Sequence, residues 1–235
     1  IASEGLVAEE KPIIADDDAA SIEEKKETYI EELVEDFEEI PGFFITFRDP
    51  EKNKIFLKIN KDQLNNEFIY FAHALNGVAS SGKVKGSYLD EGIFTIEKDY
   101  NYLRFSRVLT NYYFDENSPL SNSKGANVSN STFKVIEIMA ENESGDEYLI
   151  DITGMLLSET LTPIMPIYSP DGPPPGFGWG QVSPSKSRIK GVYNYEENTD
   201  FEVEYVIESA PSYEYDSEDV ADPRNINILI RYSFI

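Results

Sequence analysis

Phe201-Glu-Val-Glu-Tyr-Val-Ile-Glu208 alternates apolar side chains with glutamates, except at Val206. Successive side chains of a β-strand point to opposite faces, so a period of two places one face in a core and the other in water. The last segment of the chain repeats the pattern, because every second residue from Ile226 to Tyr232 is isoleucine or tyrosine. Each of the two segments predicts a half-buried strand, as in an antiparallel sheet.

Shorter runs of the same kind lie upstream of this pair. We expect one hairpin from Phe43–Phe47 with Ile55–Ile59, and a second from Phe133–Met139 with Tyr148–Ile152 across a polar turn. The other expected strands are Phe68–Leu75, Gly92–Glu97 and Tyr102–Phe114. The 15 tyrosines and 14 phenylalanines also favour strands. We therefore predict a mainly β domain over residues 42–235, an antiparallel sandwich or a barrel-like meander.

The N-terminal region has a different pattern. Residues 1–20 are rich in acids and small side chains, which predicts a flexible acidic leader. Residues 21–41 predict an amphipathic helix, because Ser21 and Glu24 form a capping box and apolar side chains recur at helical spacing up to Ile40. Pro41-Gly42 is expected to end this one short helix.

Proline and glycine dominate residues 163–187, which predicts a long loop because proline fixes φ and lacks a backbone donor. Within this loop Phe177 and Trp179 are flanked by glycines. Aromatic side chains in such a setting are hard to bury fully, so they form a possible binding loop for a sugar or a peptide. The alternative is that the two rings anchor the loop to the domain.

Composition excludes several classes of function. The chain has no cysteine, which rules out a thiolate nucleophile, a disulfide framework and a cysteine-ligated zinc site. The net charge of −24 repels phosphate, so we expect no nucleic-acid partner. No apolar run approaches the ~20 residues that span a bilayer, so no membrane insertion is expected. No signal peptide is visible, and the start at Ile1 indicates that upstream residues were removed.

His73 is the only histidine, and the zinc motif H-E-x-x-H is absent. A Ser-His-Asp triad with His73 is formally open, but the apolar run around His73 indicates a structural histidine. The acids allow carboxylate pairs of the glycosidase type only at chance spacings. Runs of acids could hold calcium at 16–18, 115–117 and 216–222, yet none has the spacing of a calcium loop, and solvated charge is the simpler interpretation.

The apolar C-terminus predicts a contact outside this domain. Tyr232, Phe234 and Ile235 close the last strand without a polar tail. Exposed apolar groups usually mark an interaction surface, so we expect these three residues to form a possible interdomain contact.

Several segments between residues 39 and 234 are similar in order and spacing to the N-terminal region of large bacterial metzincin-like zinc metallopeptidases. These segments are Pro41–Arg48, Lys54–Ile59, Phe71–Gly77, Ser187–Ile189 with Asn198–Glu204, and Ala221–Arg224 with Ile228–Phe234. In that family an uncharacterised β-rich module precedes the peptidase domain. The loop at 163–187 departs from the family pattern.

The resemblance implies a non-catalytic accessory or pro-region-like module. Such a module would aid folding, cover the active site or present substrate. Its partner would be the downstream peptidase domain, in cis or as a cleaved partner chain, and zinc would be bound only there. The resemblance also implies an exported bacterial protein that is periplasmic, outer-membrane-associated or secreted. The alternative function is a free-standing surface module that binds glycan or peptide.

Overall fold

The computed structural model describes residues 29–79, 83–112, 117–119, 128–164, 180–209 and 218–235. Thirteen strands within these ranges form two antiparallel sheets that enclose one main core. The fold is therefore mainly β and antiparallel, which confirms the predicted fold class.

Five strands form the smaller sheet, in the spatial order β1-β2-β3-β9-β8. Their bounds are β1 Glu38–Ile40, β2 Ile45–Arg48, β3 Ile55–Asn60, β8 Ala140–Glu141 and β9 Glu147–Asp151. The predicted hairpin of β2 and β3 is confirmed, with Phe47 opposite Phe56.

Eight strands form the larger sheet. Their bounds are β4 Glu67–Asn76, β5 Tyr88–Asp99, β6 Tyr102–Arg107, β7 Ser131–Glu137, β10 Gln181–Val182, β11 Arg188–Asn194, β12 Thr199–Glu208 and β13 Asn225–Phe234. The spatial order is β10-β12-β13-β4-β5-β6-β7, and β11 pairs with the same edge of β12 as β10 does. The two strands predicted from the alternating sequence are β12 and β13, and the structure pairs them antiparallel over their full length.

The main core lies between the inner faces of the two sheets. Phe234 stands at its aromatic centre, with ring centroids 5.3 Å from Phe94 and 5.4 Å from Phe201. The inner face of the smaller sheet supplies Leu57 and Ile150, both fully buried. Aromatic rings at these separations contribute about 0.5–1.5 kcal/mol per pair beyond the burial of their area.

A smaller core covers the other face of the five-stranded sheet. The short helix α1 (Ile30–Leu33) lies there, and Ile30 packs with Phe47, Phe56 and Leu149. Phe37 follows the helix and stacks on Phe56 with centroids 5.0 Å apart. The smaller sheet is therefore buried on both faces.

The helix predicted over 21–41 is wrong in its second half. Within the described part of this segment, helix is present only at Ile30–Leu33, and Glu38–Ile40 forms strand β1 against β2. Strand pairing and the stacking of Phe37 on Phe56 outweigh the local helical period, since propensity is a weak determinant beside tertiary contacts. The leader 1–20 and residues 21–28 lie outside the described residues.

The predicted hairpin of 133–139 with 148–152 is also wrong. Ser131–Glu137 pairs with β6 in the larger sheet, and the chain then crosses to the smaller sheet, where Ala140–Glu141 pairs with β9. The predicted polar turn does join a hairpin, but the strand before the turn is β8, which is only two residues long. Alternation gives the face of a strand but not which sheet it joins, so sequence alone could not separate β7 from β8.

Two further segments differ from expectation. The strand expected to run from Tyr102 to Phe114 ends at Arg107. In the segment 163–187, Gln181–Val182 forms strand β10 at an edge of the larger sheet, Ile164 is fully buried, and residues 165–179 lie outside the described part. An edge position agrees with a proline-rich segment, because proline cannot donate within a central ladder.

The C-terminal strand belongs to this domain's own core. Tyr232 is fully buried and Phe234 is only 1% exposed, which corrects the expectation that they form an interdomain contact. Their inward positions follow from the register of β13 with β12, where Phe201 faces Tyr232. Of the three residues, Ile235 has an exposed side chain, with 41% of its surface accessible. Its backbone exchanges two hydrogen bonds with Ile69.

This arrangement predicts different costs at neighbouring positions. Phe234→Ala should lower the free energy of unfolding by about 3–5 kcal/mol, because the ring fills the core and the site cannot collapse fully. Ile228→Ala should cost about 2–5 kcal/mol for the same reason. Ile235→Ala is the matched control and should change stability by less than about 1 kcal/mol. Urea unfolding of the three variants measures this, and equal losses at positions 234 and 235 would contradict it.

Candidate functional site

The outer face of the eight-stranded sheet is the candidate site. Alternation along β4, β5, β12 and β13 sends every second side chain to this face, away from the core. Most of these side chains are polar, as expected for the open side of an antiparallel sheet. Two groups of side chains on this face, one apolar and one built around an arginine, lie beside each other across the strand order.

The first group is an apolar patch formed by Ile69, Phe71, Tyr88, Ile93 and Ile235. Ile69 lies opposite Ile93 in the β4–β5 register, and Ile235 extends β13 beside Ile69. The rings of Phe71 and Tyr88 are 6.3 Å apart. Ile69 is 41% exposed and Tyr88 is 56% exposed. Contiguous exposed apolar side chains of this kind mark an interaction surface more often than single ones do.

Tyr88 also has a polar function in the patch. Its hydroxyl donates a hydrogen bond to Glu91 Oε2 on the same strand. Desolvation raises the pKa of Tyr88 to about 12, and the bond to Glu91 and the charge of Asp90 add to the effect. The phenol is therefore neutral at physiological pH, and its hydrogen bond fixes the ring beside Phe71.

The second group is a tyrosine–arginine cluster formed by Tyr193, Tyr195, Asp200, Glu202 and Arg231. Arg231 Nη2 lies 2.5 Å from Glu202 Oε1, and Arg231 Nη1 lies 3.9 Å from Asp200 Oδ2. The guanidinium carbon of Arg231 is 5.8 Å from the ring centroid of Tyr193. The hydrogen bonds that Arg231 donates to Glu202 raise the pKa of Arg231, so the guanidinium stays charged.

The tyrosine ring of this cluster lies over a glycine. A Cβ on Gly191 would stand only 3.0–3.2 Å from Tyr193 Cε2, Cζ and the hydroxyl oxygen, so the ring occupies the space above that residue. Tyr193 is nevertheless 44% exposed, and Tyr195 is 55% exposed. Strand β11 therefore presents Tyr193 to solvent beside Arg231, and Tyr195 is exposed directly after the strand ends.

His73 lies between the two groups. It is in β4 opposite Arg231 of β13, and its side chain is half-buried on the outer face. The described residues contain no group of three or more histidine, aspartate or glutamate side chains that could hold a metal ion. Of the predicted calcium candidates, 16–18, 115–116 and 216–217 lie outside the described part of the chain. Asp222 lies within it and forms a two-point pair with Arg224 at 2.8 and 2.9 Å.

A polar cluster on the inner side of the same sheet is fully paired. Tyr70 donates to Asp90 Oδ2 at 2.9 Å, and Arg107 donates to Asp90 Oδ1 at 2.8 Å. The guanidinium carbon of Arg107 lies 5.3 Å from the Tyr70 ring centroid, and Gly92 leaves room for both side chains. Burial first, and then the bond to Asp90, raise the pKa of Tyr70. The Asp90 carboxylate and the Tyr70 phenol are thus hydrogen-bonded to each other, which indicates a structural rather than a reactive function.

A second buried pair ties the sheets to α2 (Thr153–Leu156). The hydroxyl groups of Tyr205 and Tyr232 are 2.9 Å apart, and Tyr205 donates to the carbonyl oxygen of Leu156. Burial is the first cause that raises the pKa of each phenol. Both tyrosines therefore stay neutral in the folded chain far above pH 7.

The candidate residues from the sequence are only partly represented at this surface. Ile235 belongs to the apolar patch, whereas Phe177 and Trp179 lie outside the described residues. Sequence reasoning missed Phe71, Tyr88 and the tyrosine–arginine cluster. An available signal was Tyr193-Asn-Tyr195, two aromatic side chains at strand spacing before an acidic turn.

Comparisons of the chain with models of known protein families, with curated proteins and with solved structures gave no match. In the part of the chain that the structure describes, every helix is too short or too polar to cross a membrane.

The buried tyrosines predict a loss of stability at alkaline pH. The pKa values of Tyr70, Tyr205 and Tyr232 are raised above the unfolded value of about 10, so the unfolded chain releases these protons first. Their contribution is fully present below about pH 10 and is lost as pH rises beyond it. Urea unfolding at about pH 8 and about pH 11 should show a smaller loss for Tyr205→Phe/Tyr232→Phe than for the natural chain.

The control for this experiment is Tyr100→Phe, which changes a tyrosine that is almost fully exposed in a turn. It should retain the full alkaline loss. An identical loss in the double variant and the natural chain would show that these phenols do not govern the alkaline transition.

Proposed function

We propose that this domain is a non-catalytic accessory module that binds a protein partner through the apolar patch on its eight-stranded sheet. The observation that carries the proposal is the contiguity of Ile69, Phe71, Tyr88, Ile93 and Ile235 on a mostly polar face. A sheet face that serves only as a solvated surface has no need of such a group.

The patch has the composition of an interface centre. Aromatic side chains are enriched at such centres, where a few well-packed anchors supply most of the binding free energy. Phe71 and Tyr88 contact each other, and the bond of Tyr88 to Glu91 limits the rotamer freedom that binding would otherwise remove. Glu91 and Glu67 supply charge at the border of the patch, as expected for a polar rim.

The resemblance in the sequence supports a setting for this interaction. In an exported bacterial zinc metallopeptidase the partner is the downstream peptidase domain, joined in cis or cleaved. The module would assist folding of that domain, cover its active site or present substrate to it. The zinc ion and the reacting groups belong to the peptidase domain, and the contribution of this chain is the docking surface.

Docking can be tested by titration calorimetry of this chain against the peptidase domain encoded by the same gene. Phe71→Ser/Tyr88→Ser should weaken binding at least tenfold, or about 1.4 kcal/mol, because both anchors lose apolar contact. Tyr100→Ser removes an exposed tyrosine at a turn far from the patch and should leave affinity unchanged. A gene without H-E-x-x-H downstream would remove the proposed partner, and equal affinity of the double variant would remove the proposed surface.

The purified chain should show no peptidase activity and no stoichiometric zinc. The basis for this expectation is a single histidine, no cysteine and no H-E-x-x-H. Metal analysis of the natural chain and of His73→Ala should give the same substoichiometric zinc content. One tightly held zinc ion per chain, lost in His73→Ala, would contradict the assignment.

A further inference from the structure

We propose that the tyrosine–arginine cluster is a binding site for a neutral saccharide. The sugar ring would stack on Tyr193, and its hydroxyl groups would bond to Arg231, Asp200 and Glu202. This site is separate from the apolar patch, so the inference does not rest on the docking function proposed above.

The stacking surface is preformed. Tyr193 lies over Gly191, which has no Cβ to lift the ring away from the sheet. The ring is also held beside Arg231 by a cation–π contact at 5.8 Å. A sugar presents one face rich in C–H groups, and such a face packs on an exposed aromatic ring without a polar group being buried unpaired. A ring already held in place loses little freedom on binding.

Three polar atoms of the cluster form no hydrogen bond with the described residues. Glu202 uses only Oε1 for Arg231, whose Nε and Nη2 both donate to that oxygen. Asp200 accepts a bond from Asn198 at Oδ1, whereas its Oδ2 is 3.9 Å from Arg231 Nη1, too far for a hydrogen bond. Glu202 Oε2, Asp200 Oδ2 and Arg231 Nη1 therefore have no hydrogen-bond partner among the described residues.

The side chains of Asp200 and Glu202 are largely enclosed, 10% and 12% exposed, whereas the side chain of Arg231 is 34% exposed. Within the described ranges, the fully buried side-chain polar atoms that lack a hydrogen-bond partner are the hydroxyl oxygens of Thr95 and Thr162, so the two carboxylate oxygens are not completely sealed from the surface.

Vicinal hydroxyl groups match this set of atoms. A hydroxyl group can accept a bond from a guanidinium and donate a bond to a carboxylate, so adjacent hydroxyls satisfy donor and acceptor together. An anionic ligand would meet Arg231 but would also face two carboxylates in a chain with a net charge of −24. An apolar peptide side chain would leave the free polar atoms unpaired, at a cost in free energy.

Tyr195 extends the site in one direction. It follows the last residue of β11 and lies two positions beyond Tyr193. Its side chain is 55% exposed. We therefore expect an oligosaccharide that extends from Tyr193 towards Tyr195 to bind more tightly than a single sugar.

The test is a nuclear magnetic resonance titration of the whole chain with the methyl glycosides of glucose, galactose and mannose, with N-acetylglucosamine, and with glucuronate. At least one neutral sugar should cause saturable shifts at Tyr193, Tyr195 and the side chain of Arg231. Tyr193→Ala and Glu202→Gln should each weaken that sugar at least tenfold. Glucuronate should bind more weakly than the glucoside.

Two variants serve as controls. Tyr102→Ala removes a tyrosine of β6 with nearly the same exposure as Tyr193, and it should leave sugar affinity unchanged. Phe71→Ser/Tyr88→Ser should also leave it unchanged, which separates this site from the docking surface. The proposal is overturned if none of the neutral sugars shifts these resonances, if folded Tyr193→Ala binds as tightly as the natural chain, or if glucuronate binds best.

Discussion

The antiparallel ladder between β12 and β13 is the interaction on which the rest of the structure depends. It pairs Thr199 with Phe234 and continues without interruption to Glu208 and Asn225. Because the register has no bulge, every inward position of one strand meets an inward position of the other. The same register that places Phe201 opposite Tyr232 in the core places Glu202 opposite Arg231 outside. Core and surface cluster are therefore two consequences of one pairing.

The bulged pairing of β4 and β5 has the opposite effect. The register shifts between Ala72 and His73, and an extra residue stands in β5 beside them. On one side of this irregularity Tyr88 turns outward to Glu91, and on the other Asp90 turns inward to Tyr70. Bulges re-aim side chains in this way. Asp90 and Glu91 are adjacent residues of β5, yet one bonds a tyrosine on the inner face and the other bonds a tyrosine on the outer face.

Period-two alternation made the long strands and the fold class predictable, since each of β4, β12 and β13 carries enough alternating positions to define a face. Short strands such as β8 and β10 carry two residues each, which is too few for a period. The failure at Glu38–Ile40 is of another kind, because its sequence suits a helix and only the neighbouring β2 makes it a strand. The candidate site was missed because exposed aromatic side chains have meaning only once their strands are placed side by side.

Helix α1 and Phe37 cover the outer face of the smaller sheet, whereas the outer face of the larger sheet has no such cover in the described residues. The smaller sheet lies between that cover and the main core, whereas in the larger sheet the face away from the core carries both the apolar patch and the tyrosine–arginine cluster. A protein bound at the apolar patch and a sugar bound at the tyrosine–arginine cluster would therefore lie on the same side of the domain. The spacing of the strands between the two groups would fix the distance between the two ligands.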